Sequence, residues 1–286
     1  MAFALLNGEI IPRNEAKVDV EDRGYQFGDG IYEVIRIYNG KMFTANEHLK
    51  RFEKSAQSIG ISFPYKAETI IEMLEQLIKK NNLDLGIVYM QLTRGTAPRN
   101  HAFPTAVVRP TLVAYTSKVE RPLNPVKDGV KTILTEDIRW LRCNIKSLNL
   151  LGNILAKQKA AEQGCFEVIM HRGDDVTEGS SSNIFIVKNG VVITHQSNNL
   201  ILKGITKDVI LRKISENHLN VEERAFTLEE LAGADEVFLS STTAEVMPIV
   251  EIDGKKVSDG TPGPVTRKLQ KLFTNEIEKQ CGILYR

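Results

Sequence analysis

Two segments of the chain decide how it is interpreted. The first is Trp140-Leu141-Arg142-Cys143-Asn144-Ile145-Lys146-Ser147-Leu148-Asn149, which places a lysine in a loop with apolar neighbours. The second is Val176-Thr177-Glu178-Gly179-Ser180-Ser181-Ser182-Asn183, which places a carboxylate before small residues that permit close backbone approach to a flat ligand. A lysine amine forms Schiff bases, and a carboxylate can hold a pyridine nitrogen protonated, so the pair predicts a pyridoxal phosphate enzyme. Taken singly, each segment also fits a solvated loop lysine or a polar turn between strands.

The composition is that of a soluble globular protein with a small-molecule partner. The chain has 286 residues, of which 37 are basic and 36 acidic, giving a net charge of +1. This balance argues against an overall positive electrostatic potential that would attract nucleic acid or an anionic membrane. Its length favours two domains. The three cysteines, Cys143, Cys165 and Cys281, have no short spacing, which argues against a disulfide framework and a zinc site. With no signal peptide or membrane span evident, the sequence predicts a cytoplasmic protein without a metal.

The order of local signals predicts α+β structure in two domains. Residues 1–118 form the predicted first domain, 119–129 a polar, extended linker with two prolines, and 130–286 the second domain. Asn-Gly or Asp-Gly pairs predict tight hairpin turns. The pairs are Asn7-Gly8, Asn39-Gly40, Asn189-Gly190 and Asp253-Gly254. Apolar periodicity and cap residues predict helices. Their predicted spans are 46–57, 67–80, 148–163, from 206 onward, and 263–280.

A phosphate site is the third element that such a cofactor requires. Leu202 to Asp208 resembles a glycine turn that leads into a helix N-terminus, where free N–H groups favour an anion. The run Ser240 to Thr243 offers further hydroxyl and N–H donors, and Arg51 offers a bidentate cation. Ordinary helix caps, a turn after a strand and a surface arginine are the alternatives at these positions.

Substrate capture is predicted in the segment Arg94 to Pro104. Arg99 and His101 point the same way if the backbone between them is extended, and together they would hold a carboxylate. A polar loop with an isolated histidine is the alternative. Competing chemistries lack their motifs: the five histidines show no metal-type spacing, and no dinucleotide, Walker or Gly-x-Ser-x-Gly sequence is present.

Nearly the whole chain resembles the fold-type IV pyridoxal phosphate enzymes, and within them the bacterial D-amino acid aminotransferases. The similarity runs from Asp22 to Gln270 and is sharpest in four segments. These segments are Arg139–Gly152, Thr177–Asn183, Leu202–Asp208 and Pro98–His101. The resemblance implies two α+β domains with the cofactor in the cleft between them, and a homodimer.

The resemblance also implies a role for each matching position. Lys146 would form the Schiff base and move the substrate proton, and Glu178 would pair with the pyridine nitrogen. Leu202 would pack against the cofactor ring. The implied phosphate ligands are Arg51, Ile205, Thr206 and Thr242. The implied substrate residues are Tyr32, Arg99, His101, Ser181 and Ser182, with Arg99 and His101 similar to residues that the family takes from the neighbouring subunit.

The implied reaction is transamination of D-alanine and 2-oxoglutarate to pyruvate and D-glutamate, which would supply D-amino acids for a bacterial cell wall. Branched-chain L-amino acid aminotransferases and aminodeoxychorismate lyase share the fold and would keep the lysine and the glutamate. The Arg99-Asn100-His101 segment favours the D-specific enzyme. A protein that only carries pyridoxal phosphate is the alternative from another class, and the presence of both Lys146 and Glu178 argues against it.

Overall fold

The computed structural model describes residues 2–284, which fall into two compact units. The first comprises the chain up to Glu120, the segment Ile145–Asn149 and the chain from Ile277 onward. The second comprises Arg121–Asn144 and Leu150–Glu276. The sequence predicted that all of 130–286 forms one domain, whereas the short segment that carries Lys146 packs with the first unit. This long-range packing has no local sequence signal.

The first unit is an antiparallel sheet of six strands with helices on one face. Its elements are β1 (Phe3–Leu6), β2 (Glu9–Pro12), α1 (Arg23–Phe27), β3 (Gly30–Tyr38), β4 (Lys41–Met42), α2 (Ala45–Ser58), α3 (Ala67–Lys80), β5 (Gly86–Thr93) and β6 (Thr111–Lys118). The strand order is β2-β1-β6-β5-β3-β4. Asn7 and Gly8, at φ 52° and 96°, turn β1 into β2, as the Asn-Gly pair predicts.

The core of the first unit lies between the sheet and helices α2 and α3. Ile31, Ile35 and Ile37 alternate along β3 and are fully buried against apolar residues of both helices. The predicted helices 46–57 and 67–80 are confirmed, although α2 begins after Thr44, at φ 55°, rather than after Asn46. Residues Tyr32, Val34 and Arg36 therefore occupy the opposite face of the sheet.

The second unit is built on a mixed sheet of nine strands. Its elements are α4 (Leu123–Asp128), β7 (Val130–Glu136), α5 (Leu151–Glu162), β8 (Glu167–Arg172), β9 (Asp175–Val176), β10 (Asn183–Lys188), β11 (Val191–Thr194), α6 (Ile205–Glu216), β12 (Val221–Glu223), α7 (Leu228–Ala232), β13 (Glu236–Ser241), β14 (Glu245–Ile252), β15 (Lys255–Lys256) and α8 (Pro264–Cys281), the last of which continues into the first unit. The order is β12-β11-β10-β13-β14-β7-β8-β9, with β15 beside β14. The mixture of helices and strands confirms the predicted α+β class.

Three local predictions differ from the structure. The segment 119–129, predicted to be extended, contains helix α4. Pro122 is its N-cap residue, and a proline is tolerated there because N–H groups at a helix start have no intrahelical acceptor. Helix α5 begins at Leu151, three residues later than predicted. Strand β14 was not predicted since Pro248, which cannot donate to a sheet, lies inside it. No helix within residues 2–284 combines the length and the apolar character needed to cross a membrane.

Candidate active site

Lys146 lies in the first unit, in a loop segment beside the start of β3. Its carbonyl accepts a hydrogen bond from the Tyr32 N–H at 3.0 Å, and its own N–H donates to Ser55 Oγ at 3.3 Å. The Lys146 amine lies 4.2 Å from the centre of the Tyr32 ring. The preceding Ile145 is buried in the core, whereas Leu141 is 61% exposed. The apolar environment predicted around the lysine is therefore supplied in part by Ile145 and Tyr32, and not by Leu141.

Tyr32 belongs to a stack of aromatic rings on the sheet face that points away from the helices. Its ring centre is 5.8 Å from that of Tyr89, which in turn is 5.0 Å from that of Tyr115. Burial raises the pKa of Tyr89, so its hydroxyl stays neutral, and it donates to Gln91 Oε1 at 2.8 Å. The stack gives the Lys146 amine a rigid aromatic wall.

Glu178 lies in the second unit and is 4% exposed. Arg139 Nη1 donates to its Oε1 at 2.6 Å, while Asn183 Nδ2 and the Leu202 N–H donate to its Oε2 at 3.2 and 3.0 Å. Burial raises the pKa of Glu178 to about 7, although the charge of Arg139 opposes the rise. Arg139 already supplies one cation to Glu178, and a second cation would further stabilise the ionised carboxylate. A carboxylate in this position can therefore bind a protonated ring nitrogen.

Arg139 is in turn fixed by a second carboxylate. It donates to both oxygens of Asp137 at 2.8 Å, and Thr177 Oγ1 donates to Asp137 Oδ2 at 3.0 Å. Burial works against ionisation of Asp137, but the hydrogen bonds and charge of Arg139 hold its pKa below the usual range. Sequence analysis assigned no role to Asp137 or Arg139. A signal was present in the clustering of Asp137, Arg139 and Arg142 before the lysine, although charge clusters alone do not distinguish a site from a surface.

The start of helix α6 lies beside Glu178, because Asn183 contacts both. Gly204 precedes the helix, and a Cβ at that position would come within 2.1 Å of Asn183 Oδ1, so only glycine fits. No side chain in residues 2–284 caps the helix, which leaves the N–H groups of Ile205 and Thr206 for another acceptor. The arrangement suits an anion such as a phosphate group.

Strand β13 brings a second set of donors to the same edge. Ser240 pairs with Asn183 across strands β13 and β10, so the turn that contains Thr242 follows at this edge. The Ser240 hydroxyl is buried and has no hydrogen-bond partner in the described part of the chain. A buried hydroxyl of this kind is typical of a site that a ligand or water completes. The structure thus places Glu178, Leu202, Thr206 and Thr242 in one unit and at one end of its sheet.

Arg51 lies on helix α2 and is held by a buried glutamate. Its Nε and Nη2 donate to the two oxygens of Glu33 at 2.6 and 2.9 Å, and His48 Nδ1 lies 2.7 Å from Glu33 Oε2. Burial disfavours the charged form of Glu33, yet Arg51 and His48 hold its pKa below the usual range. Burial likewise lowers the pKa of His48. The sequence analysis missed Glu33, although a charged residue alternating with isoleucines on a core-facing strand is a recognisable signal.

Arg99 and His101 lie together in an exposed loop of the first unit. The Arg99 guanidinium is 5.1 Å from the centre of the Phe27 ring, and the His101 ring meets the same ring edge-on at 5.6 Å. Within residues 2–284, no hydrogen bond or ring contact joins either side chain to Tyr32. The structure therefore pairs Arg99 with His101 on one ring, but it leaves Tyr32 separate from them.

The loop that carries Arg99 and His101 is ordered by buried charges. Arg23 donates to the carbonyl groups of Asn100, His101 and Ala102, at 2.5, 3.4 and 3.4 Å. Arg23 and Arg94 both bind Asp29, at 2.7 and 2.8 Å. The conformation of the loop is therefore set in the first unit before any ligand binds.

The serines after Glu178 are directed to another carboxylate. The hydroxyl groups of Ser180, Ser181 and Ser182 lie 2.5, 3.1 and 3.3 Å from the oxygens of Glu167, which is 2% exposed. A Cβ on Gly179 would come within 2.2 Å of Ser182 Oγ. Glu167 thus fixes this turn, and a ligand that approaches it meets hydroxyls that already have an acceptor.

Comparison with known proteins assigns this arrangement to a family. The family model described as amino-transferase class IV matches residues 30–252. A D-alanine aminotransferase from Staphylococcus aureus strain MSSA476 is 52% identical over 279 residues, which cover 97% of this chain and 99% of that protein. A D-alanine aminotransferase from Listeria innocua is 51% identical over 282 residues, or 98% of both chains. A solved branched-chain amino acid aminotransferase with pyridoxamine 5′-phosphate, from the organism abbreviated T.th., has a TM-score of 0.91 and is 26% identical, over 98% of this chain and 94% of that one.

Proposed function

The chain belongs to the class IV aminotransferase family, and we propose that it is a D-amino acid aminotransferase that uses pyridoxal 5′-phosphate. The reaction converts D-alanine and 2-oxoglutarate to pyruvate and D-glutamate. The observation that carries this proposal is the 52% identity to a D-alanine aminotransferase over 97% of the chain. The cofactor is supported by the pyridoxamine 5′-phosphate in the similar solved structure and by the buried groups described above.

The described residues fit the cofactor. Glu178, which Arg139 and the Leu202 N–H hold in place, would accept the pyridine N–H and gain a further charged partner. The phosphate would be held by the N–H groups of Ile205 and Thr206, by the turn that contains Thr242, and by Arg51. Leu202 would pack on the ring. Pyridoxal phosphate, when bound, supplies an electron sink for the bond electrons released at the substrate α-carbon.

Lys146 is the catalytic residue. Its amine would hold the cofactor covalently and would move the proton of the substrate α-carbon. Tyr32, 4.2 Å away, keeps the amine in position without offering a competing charge. The amine works from one side of the substrate, so the residues that fix the substrate carboxylate determine which enantiomer reacts.

Tyr32, Arg99 and His101 form the carboxylate site in this proposal. Arg99 and His101 already share the Phe27 ring, so their donors are arranged as a pair. Ser181 and Ser182 line the site through a turn that Glu167 holds rigid. Arg99 and His101 do not contact Tyr32 within the described chain, and the family resemblance supports a site that takes these two residues from a second copy.

We further propose that the protein is a homodimer in the cytoplasm. Phe103 and Val107 are large apolar side chains of the first unit that are more than half exposed, and they follow Arg99 and His101 in the chain. Exposed apolar residues grouped around a functional loop are typical of a protein interface. The product D-glutamate fits a role in supplying D-amino acids to a bacterial cell wall.

The branched-chain L-amino acid aminotransferase is the second candidate, because solved structures of that activity share the fold. Those structures are 26% and 27% identical, about half the identity of the D-alanine aminotransferases. The Arg99 and His101 pair also favours the D-specific activity. The aminodeoxychorismate lyase activity is the weaker alternative on the same grounds.

Borohydride trapping tests the covalent role of Lys146. The cofactor-loaded protein is reduced, digested and analysed by mass spectrometry, and the pyridoxyl group is expected on Lys146. In Lys146→Ala, the label should disappear and transamination should fall about 10²- to 10⁴-fold, whereas the exposed Lys54→Ala on α2 should behave as wild type. A label on any other lysine, or full activity in Lys146→Ala, would overturn the mechanism.

A further inference from the structure

Arg36 is a buried charge whose hydrogen-bond donors are unused in the described chain. It lies on β3, is 1% exposed, and its Nε, Nη1 and Nη2 atoms make no hydrogen bond to any part of the chain that the structure describes. A guanidinium group has five N–H donors and stays protonated in proteins. Taking such a group out of water without an acceptor is strongly unfavourable, so an anion is expected to complete this site.

Within the part of the chain that the structure describes, the side chains beside Arg36 on β3 and β5 do not supply that anion. The guanidinium carbon lies 5.4 Å from the centre of the Tyr38 ring, a cation–π distance that compensates only part of the lost hydration. Residues that face the same side of the sheet on β3 and β5 are neutral. They are Tyr32, Val34, Tyr38, Ile87, Tyr89 and Gln91. The nearest acid in sequence, Glu33, points to the other face and is bound by His48 and Arg51.

The register places Arg36 along the same face as the residues around Lys146. Tyr89 lies opposite Val34, between the row of Tyr32 and the row of Arg36, and its ring stacks on Tyr32. Tyr32 and Arg36 are four residues apart, so about 13 Å separates their Cα atoms along the strand. A long arginine side chain at that position can meet a substrate group that extends along the strand from the Lys146 amine.

We propose that Arg36 binds the side-chain carboxylate of dicarboxylic substrates, namely D-glutamate and 2-oxoglutarate. The inference rests on the proposed function and extends it. A carboxylate matches the planar, bidentate geometry of a guanidinium group. The neutral aromatic wall of Tyr32 and Tyr89 accommodates the intervening carbon chain. D-alanine, whose side chain is a methyl group, leaves the Arg36 site untouched.

The test compares substrates that differ only in the distal carboxylate. Cofactor-loaded wild type, Arg36→Met and Arg36→Lys are mixed with D-alanine, D-norvaline or D-glutamate, and the loss of cofactor absorbance is followed without an oxo acid. In Arg36→Met, the specificity constant for D-glutamate relative to that for D-alanine should fall about 30-fold or more. The ratio for D-norvaline, which has the same chain length but no charge, should not fall. Arg36→Lys should retain part of the D-glutamate preference.

Further measurements distinguish the loss of the Arg36 site from misfolding of the variant and from failure of the proposed function. Glutarate should raise the melting temperature of the cofactor-loaded wild type but not that of Arg36→Met. The control is Arg13→Met, which replaces an exposed arginine 4.8 Å from the centre of the Tyr115 ring and should behave as wild type. An equal loss for D-alanine and D-glutamate in Arg36→Met, or an unchanged ratio, would overturn the Arg36 site. Failure of the wild type to react with D-alanine would instead overturn the proposed function.

Discussion

Replacing Glu178 with glutamine should remove a pH-dependent cost from the stability of the cofactor-free protein. Burial raises the pKa of Glu178 from an ordinary value of 4.5 to about 7. The folded protein therefore binds this proton more tightly than the unfolded chain does. Between these two values stability falls as the pH rises, because ionisation is easier in the unfolded chain.

The magnitude follows from the change in pKa. A rise from 4.5 to about 7 corresponds to about 3 kcal/mol at 1.36 kcal/mol for each tenfold change in the dissociation constant. His48 and His195 contribute with the opposite sign, since burial lowers their pKa values and folding then favours their neutral forms as the pH rises to 6.5. These contributions are common to both proteins and cancel in the difference.

The assay is urea unfolding of the cofactor-free wild type and Glu178→Gln at intervals from pH 4.5 to 8. Glutamine stays neutral, and any fixed penalty from its amide is independent of pH. The stability of the variant relative to wild type should rise by about 3 kcal/mol across this range. If the stability difference between the variant and wild type stays constant with pH, the inference that burial raises the pKa of Glu178 against the charge of Arg139 is refuted.

Two more predictions concern residues that act through others. Glu33→Gln removes the anionic partner of Arg51, so the affinity of the cofactor-free protein for pyridoxal phosphate should fall about tenfold or more, since a hydrogen bond to a charged group contributes about 1.5–3 kcal/mol. Fluorescence titration measures this affinity, with the exposed Glu68→Gln on α3 as the control. An unchanged affinity would mean that Arg51 needs no partner. Arg23→Met removes the donor to the carbonyl groups of residues 100–102, so KM for both amino acid and oxo acid should rise about tenfold while cofactor affinity is retained. Steady-state kinetics measures both KM values. A loss of cofactor affinity alone would contradict the role of this loop.

Local signals made much of the fold predictable. The Asn39-Gly40 and Asn189-Gly190 pairs adopt positive φ angles and form hairpin turns, because few other residues tolerate that conformation. Signals of this kind depend only on residues close in the chain.

The remaining features depend on contacts between distant residues. Glu33 binds Arg51 18 positions later, and Arg139 binds Glu178 39 positions later, so neither pair can be found from spacing. The same holds for Glu167, whose role is evident only when β8 is placed beside the serine turn. The residues proposed to touch a ligand were predictable from the family resemblance, whereas those that hold them in place required the structure.

The most direct test of the central claim is a half-reaction with a single enantiomer. Purified, cofactor-loaded protein is mixed with D-alanine, L-alanine or L-leucine in the absence of an oxo acid, and visible absorbance and pyruvate are measured. D-alanine alone is expected to abolish the absorbance and to yield one equivalent of pyruvate. Loss of absorbance with L-leucine, and none with D-alanine, would contradict it.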